Sequence, residues 1–173
     1  GVLTNSDGAN PNGRLLFSNF KLYGTTSAGG TNGLGTVFVV STNGSAFAVL
    51  HHFDANGASP NSDLVLSGGT LFGIGGSQIF SINTNGTGFT VLKQFDGYVD
   101  GSSYANSGLT ISNNTLFCAA STVGDNGFGQ IFSLTTNGAN YADFYDFTPP
   151  IQIYPNPPTN SNGIYPNGGM TFI

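Results

Sequence analysis

A Thr-Asn-Gly tripeptide begins four residues after each of Phe38, Phe80 and Phe132, at 42–44, 84–86 and 136–138. Successive copies lie 42 and 52 residues apart. A sheet-forming unit of about 40–50 residues, repeated along a chain, is the signature of propeller blades. An Asn-Gly pair between β-rich runs is also the strongest local hairpin signal, because both central residues of the tightest turns take positive φ. Period and turn chemistry together predict an antiparallel module that has been copied.

Composition agrees with strands and opposes helices. The chain has 173 residues with 27 Gly, 6% charged residues, no Trp and no Glu. Glycine loses backbone entropy in a helix, and Asn, Ser and Thr compete for its backbone hydrogen bonds. Almost no helix is expected. The net charge of −5 comes from eight Asp against Arg14, Lys21 and Lys93. Three scattered cations cannot neutralise a phosphate backbone, which argues against nucleic acid, and the same shortage argues against an anionic membrane surface. No run reaches the roughly 20 apolar residues of a membrane span, so no membrane insertion is expected. No basic-then-apolar leader is visible, so any export signal is expected to be removed or to lie outside these residues. The single Cys118 excludes an internal disulfide framework. Few Lys, no Glu and abundant Asn, Gly, Ser and Thr fit an extracellular or cell-surface repeat.

Taken in order, the residues divide into related pieces. Residues 1–6 match the last strand of a preceding blade, since Val2-Leu3 echoes Val49-Leu50 and Val91-Leu92. The first blade spans 7–53: a turn cluster, an apolar strand at 15–17, a second strand, the glycine-rich loop 27–35, and two strands around Asn43-Gly44. The second, 54–95, has the same parts with only Gly75-Gly76 in place of that loop, and the third, 96–147, restores the loop at 121–129. Residues 148–163 form a proline-rich arm or loop, and 164–173 match the first strand of a further blade. Six of the eight prolines fall between Pro149 and Pro166, where fixed φ and the missing N–H exclude a ladder strand. The expected fold class is all-β: a β-propeller-like array of four-stranded antiparallel blades, three full blades plus partial units at both ends.

The run Leu22-Tyr23-Gly24-Thr25-Thr26-Ser27, continuing through Gly29-Gly30, Asn32-Gly33 and Gly35-Thr36-Val37-Phe38 to Val49-Leu50 and Phe53, resembles the GloVer tandem repeats. Those repeats occur in large exported bacterial proteins with varied surface anchors. Units two and three share the strand cores Leu71-Phe72-Gly73, Ile79-Phe80, Leu116-Phe117 and Ile131-Phe132. The resemblance implies a β-propeller-like array on an exported protein and carries over no catalytic residue. Propellers typically close with 4–8 blades, so further copies or further repeats of the same protein are the expected partners, joined through blades and exposed sheet edges.

Candidate chemistry is sparse. His51 and His52 are neighbours in a strand, so alternation sends them to opposite faces; one exposed and one packed histidine is the expectation rather than a metal site. The turns Asp54-Ala55-Asn56-Gly57, Asp96 to Gly101 and Asp125-Asn126-Gly127 offer oxygens to calcium, with Asp96 and Asp100 the leading pair, but Asp and Asn also build turns unaided. Otherwise no cofactor is expected. Asp143 and Asp146, three apart in a strand, are expected on opposite faces and so not as an acid–base pair. Loop 27–35 lacks the Lys-Ser/Thr and helix of a phosphate cradle. Cys118 stands where Gly24 and Gly73 stand, which predicts a small buried residue rather than a reactive thiol. Asn43, Asn85 and Asn113 open glycan-acceptor triplets, although the first two are explained by the hairpins. Tyr98 and Tyr104 lie in the third linker and are the ligand-binding candidates, for a surface glycan.

These readings converge on a secreted or cell-surface protein without enzymatic activity, working as a structural scaffold or adhesion module that assembles through blades and edge strands. The alternative is a carbohydrate-binding, lectin-type propeller module.

Overall fold

The computed structural model describes residues 5–57, 59–60, 62–95, 108–121 and 127–151. Among these there are twelve strands and no helix. Strands β1 (Ala9–Ser18), β2 (Lys21–Ala28), β3 (Thr36–Ser41) and β4 (Ala48–His52) form one antiparallel sheet in that order. A second sheet follows with β5 (Val65–Ser67), β6 (Thr70–Gly75), β7 (Gln78–Asn83) and β8 (Thr90–Gln94). The third holds β9 (Leu109–Ser112), β10 (Thr115–Ala120), β11 (Gln130–Thr135) and β12 (Ala142–Asp146). Two compact units result, Gly1–Gln94 with two sheets and Phe95–Ile173 with one.

The Thr-Asn-Gly segments that follow Phe38, Phe80 and Phe132 fold alike, though not as the tightest hairpin. Gly44, Gly86 and Gly138 take φ of +81°, +85° and +81°, while none of the preceding Asn residues is in the left-handed region. The N–H of each glycine donates to the carbonyl of Ser41, Asn83 or Thr135, all at 2.8 Å. Each Asn carboxamide oxygen instead accepts the N–H two residues on, from Ser45, Thr87 and Ala139 at 3.0, 3.0 and 3.1 Å. The loop is thus a turn followed by a left-handed glycine, a longer alternative to the two-residue hairpin. Two residues later a second left-handed position appears, at Ala46 (+52°), Gly88 (+67°) and Asn140 (+53°). That second kink is why β4, β8 and β12 begin two residues or less after it, later than alternation alone predicts.

A further shared irregularity breaks the register between Val37 and Phe38, Ile79 and Phe80, and Ile131 and Phe132. Leu50, Leu92 and Phe144 are the extra residues on the outer strand, each a β-bulge that bends its sheet at the same place. The third bulge corrects one expectation. Asp143 lies opposite Phe132 and Asp146 opposite Gln130, two residues apart on β11, so the two carboxylates share a face instead of opposing one another.

Cross-strand pairing explains the small-residue slot. Gly24 sits opposite Phe38 and Gly73 opposite Phe80; a methyl group at either would run into that ring. Cys118 occupies the slot opposite Phe132 and is completely buried. The first strand is longer than the apolar triplet predicts. Ala9 and Pro11 already pair with Ala28 and Thr26, and a register shift between Asn12 and Leu16, around Gly13 at φ +83°, joins the two halves. The turn at Asn5 to Gly8 repeats that at Asp54 to Gly57: Gly8 N–H donates to the Asn5 carbonyl at 3.3 Å, Gly57 N–H to the Asp54 carbonyl at 3.2 Å. This aligns Asn5, rather than Asp7, with Asp54.

Ala46 carries a side chain where the equivalent blade has glycine, and the left-handed region costs a non-glycine residue about 1–2 kcal/mol. Ala46→Gly should therefore raise the unfolding free energy by about 0.5–1 kcal/mol, part of the gain being lost to the extra freedom of the unfolded chain. Gly44→Ala should lower it by about 1 kcal/mol or more. Urea unfolding of both variants checks the pair of signs.

Candidate functional site

In the first unit, the two sheets meet through side chains of opposite parity. Tyr23, Val37 and Val39 come from the first sheet; Leu64, Leu71, Phe80 and Ile82 come from the second and its approach. Between them lies Phe53, the residue after β4, fully buried. Its ring stands edge-on to Phe80 (5.2 Å, 68°) and to Phe89 (6.1 Å, 79°), which themselves stack at 5.5 Å and 25°. The aromatic pair is a socket and Phe53 is the knob that fills it.

Loop 29–35 holds that knob in place. Phe53 N–H donates to the Gly35 carbonyl at 3.0 Å, and the Asn32 carboxamide donates to the Phe53 carbonyl at 3.0 Å. Gly35 has φ +106°, and a side chain there would strike the Thr26 carbonyl and the Pro60 ring. The glycine-rich loop is a backbone latch. Across the same pair of sheets Asp63 accepts from Arg14, from its N–H at 2.6 Å and its Nε at 2.8 Å. Arg14 is mostly in solvent, so this ion pair adds about 1 kcal/mol at most.

The second unit repeats the arrangement. Phe95 meets Phe132 edge-on (5.5 Å, 60°) and Tyr141 (6.5 Å, 69°), and Phe132 leans on Tyr141 at 5.3 Å and 35°. The signal was present in the sequence as an aromatic nine residues after each repeat phenylalanine and a phenylalanine six residues after that. Composition and turn motifs conceal it, because only the structure shows that members of one triplet belong to two blades.

Beside the first junction opens a cleft of about 390 Å³, with His51, His52, Asp54 and Asn56 on one side and Gln78, Phe89, Val91 and Gln94 on the other. His51 stacks flat on Phe89, 3.6 Å between centroids and 6° between planes, and meets the edge of Phe53 at 5.0 Å. His52 accepts the Thr31 N–H on Nδ1 at 3.1 Å. The register does place them on opposite sides, opposite Val37 and Thr36, yet both are half-buried and both reach the cleft because β4 ends there. One exposed and one packed histidine is therefore corrected to two half-buried ones. Among the described residues no three His, Cys, Asp or Glu side chains come together as a metal site. Asp54 uses one carboxylate oxygen to accept the Asn56 N–H at 3.0 Å, closing its own turn. Tyr98, Tyr104, Asp96 and Asp100, the glycan and calcium candidates, lie outside the described residues. What the cleft offers chemically is a stacked imidazole beside a second histidine, three carboxamides and the Asp54 carboxylate.

The Gloeobacter/Verrucomicrobia repeat family matches residues 2–98, more than half of the sequence. The chain belongs to this family. The Gloeobacter/Verrucomicrobia repeat match takes in both sheets of the first unit, and the third sheet repeats their turns, bulge and aromatic knob. No curated protein matches the chain. Among solved structures it is similar to a chain of a nidogen/laminin complex, at 17% identity and TM-score 0.60, covering 91% of this chain and 51% of that one. A europium-containing methanol dehydrogenase is similar at 14% identity and TM-score 0.59, over 86% of this chain and 27% of the other. A subtype N10 neuraminidase-like protein of A/little yellow-shouldered bat/Guatemala/060/2010 matches at 17% identity and TM-score 0.50, over 79% and 44%. This chain thus spans about half or less of the propeller-like structures it resembles. At such identities the likeness concerns the fold.

Burial lowers the pKa of His51 below its ordinary 6.5, with Asp54 offsetting part of the shift and His52 adding to it. The unfolded chain then binds the proton more readily than the folded one, so stability is full above about 6.5 and falls as pH drops through the window beneath it. His51→Phe should keep the stack on Phe89 and reduce that loss between pH 7 and 5. Urea titrations of both proteins across this range give the comparison; parallel pH profiles would contradict it.

Proposed function

We propose that this repeat protein is an exported scaffold or adhesion module of the cell surface, that it performs no catalysis, and that it works by joining blades of its own kind. One observation carries the reading: the same knob, socket and bulge recur from sheet to sheet, so the elaborated chemistry of the chain is at its junctions. The cleft beside the first junction supports the same view, since its histidines are occupied by a ring stack and a loop N–H. Similarity to a methanol dehydrogenase does not transfer an activity, because 14% identity carries the fold and not a site.

Surface display is tested by labelling intact cells of the native bacterium with antibody raised against the chain. Staining of intact cells, abolished by brief external protease treatment, is the expected result. Staining that requires permeabilised cells would overturn the surface role.

A further inference from the structure

The repeat leaves one socket and one knob in a different condition from the others. In the first sheet, Phe38 and Phe47 stack at 5.6 Å and 25°, the geometry of Phe80 and Phe89 at 5.5 Å and 25°. Phe89 is covered by His51 and Phe53, whereas Phe47 remains 46% exposed. On the same face Leu15 and Phe17 of β1 are 52% and 62% exposed. Pairing puts Phe17 opposite Leu22, one register step from Leu16 and Tyr23, which face the second sheet.

The matching knob is in the second unit. Phe147 follows β12 as Phe53 follows β4, and its N–H donates to the Gly129 carbonyl at 2.9 Å as Phe53 N–H does to Gly35. Gly129 has φ +108° against +106° for Gly35, so the glycine half of the latch is the same. Tyr145 meets Phe147 at 5.1 Å and 80°; His51 meets Phe53 at 5.0 Å and 85°. Tyr145 is opposite Ile131 as His51 is opposite Val37, and it is 41% exposed. The socket of that unit, Phe132 with Tyr141, is already taken by Phe95.

We propose that the exposed face of the first sheet docks a second copy of this chain, which inserts Phe147 between Phe38 and Phe47 and lays Tyr145 flat on Phe47. The proposal deepens the assembly reading above and rests on it, and it continues an interface that the first unit already contains. The contact is heterologous, knob to socket, so association proceeds head to tail. The backbone of the knob is hydrogen-bonded before the halves meet, which limits the ordering that association costs.

The test is the solution mass of the full 173-residue chain by sedimentation, with variants on each half of the contact. Wild type should run at twice 17.8 kDa or above, and Phe47→Asp and Phe147→Ala should each run at 17.8 kDa. An equimolar mixture of the two variants retains one intact junction and should return to twice 17.8 kDa without forming larger species. Phe17→Asp, on the open face but outside the knob and socket, guards against misfolding; it should weaken association at least tenfold with an unchanged circular dichroism spectrum. Wild type that stays at 17.8 kDa at high concentration overturns the proposal. Variants that associate like wild type, or a mixture that stays monomeric, overturn this contact while leaving a surface scaffold in place. Failure of the antibody to label intact cells would instead sink the surface role and leave the contact standing.

Discussion

A single four-stranded sheet made of these residues has two faces that need covering, and among the described residues there is no helix to cover them. Phe53 resolves this for the first two sheets by leaving its own strand and entering the aromatic pair of the next. The energetic logic is that of any buried ring: burying a phenylalanine contributes roughly 1.5–3 kcal/mol through lost apolar exposure. Edge-to-face packing on two further rings adds about 0.5–1.5 kcal/mol per pair. Tyr23, Val37 and Val39 of the first sheet, packed with Leu64, Leu71 and Ile82, extend the same apolar contact. The Arg14–Asp63 ion pair lies in solvent, where such pairs add little.

Several features that look independent follow from the need to deliver that ring. The bulge at Leu50 bends the outer strand just before His51, and the glycine latch at 29–35 fixes the backbone of Phe53 just after it. Gly24, Gly73 and the small Cys118 leave space beneath the repeat phenylalanine, so the socket ring can lie across the neighbouring strand. His51 closes the outer side of the socket as a flat, mainly neutral ring. Its depressed proton affinity follows from that burial. The cleft beside it is the margin of a junction.

Much of this was legible in the sequence. The all-β class and the three sheets follow from the period of Thr-Asn-Gly and from the shortage of helix formers, and the repeat family was legible as a resemblance in the run from Leu22 to Phe53. Local geometry was harder to read. Asn-Gly suggested two left-handed residues, but the Asn43 carboxamide captures the Ser45 N–H and shifts the left-handed burden to Gly44 and Ala46. Bulges were invisible because alternation counting assumes none, and that assumption put Asp143 and Asp146 on opposite faces. His51 and His52 were misjudged in exposure because a strand end, unlike a strand middle, presents both sides to one groove. The pairing of Phe53 with Phe80 and Phe89 could not be read at all without knowing which blade each ring enters. The candidates Tyr98, Tyr104, Asp96 and Asp100 lie outside the described residues.

The most direct measurement is a double-mutant cycle on the first junction, combining Phe53→Leu and Phe89→Leu, with unfolding free energies from urea titration. If the knob and its socket hold the sheets together, the two substitutions should be coupled by about 1 kcal/mol, the double variant losing less than the singles sum to. Losses that add to within about 0.3 kcal/mol would mean that the rings act separately and that the sheets are joined by something else.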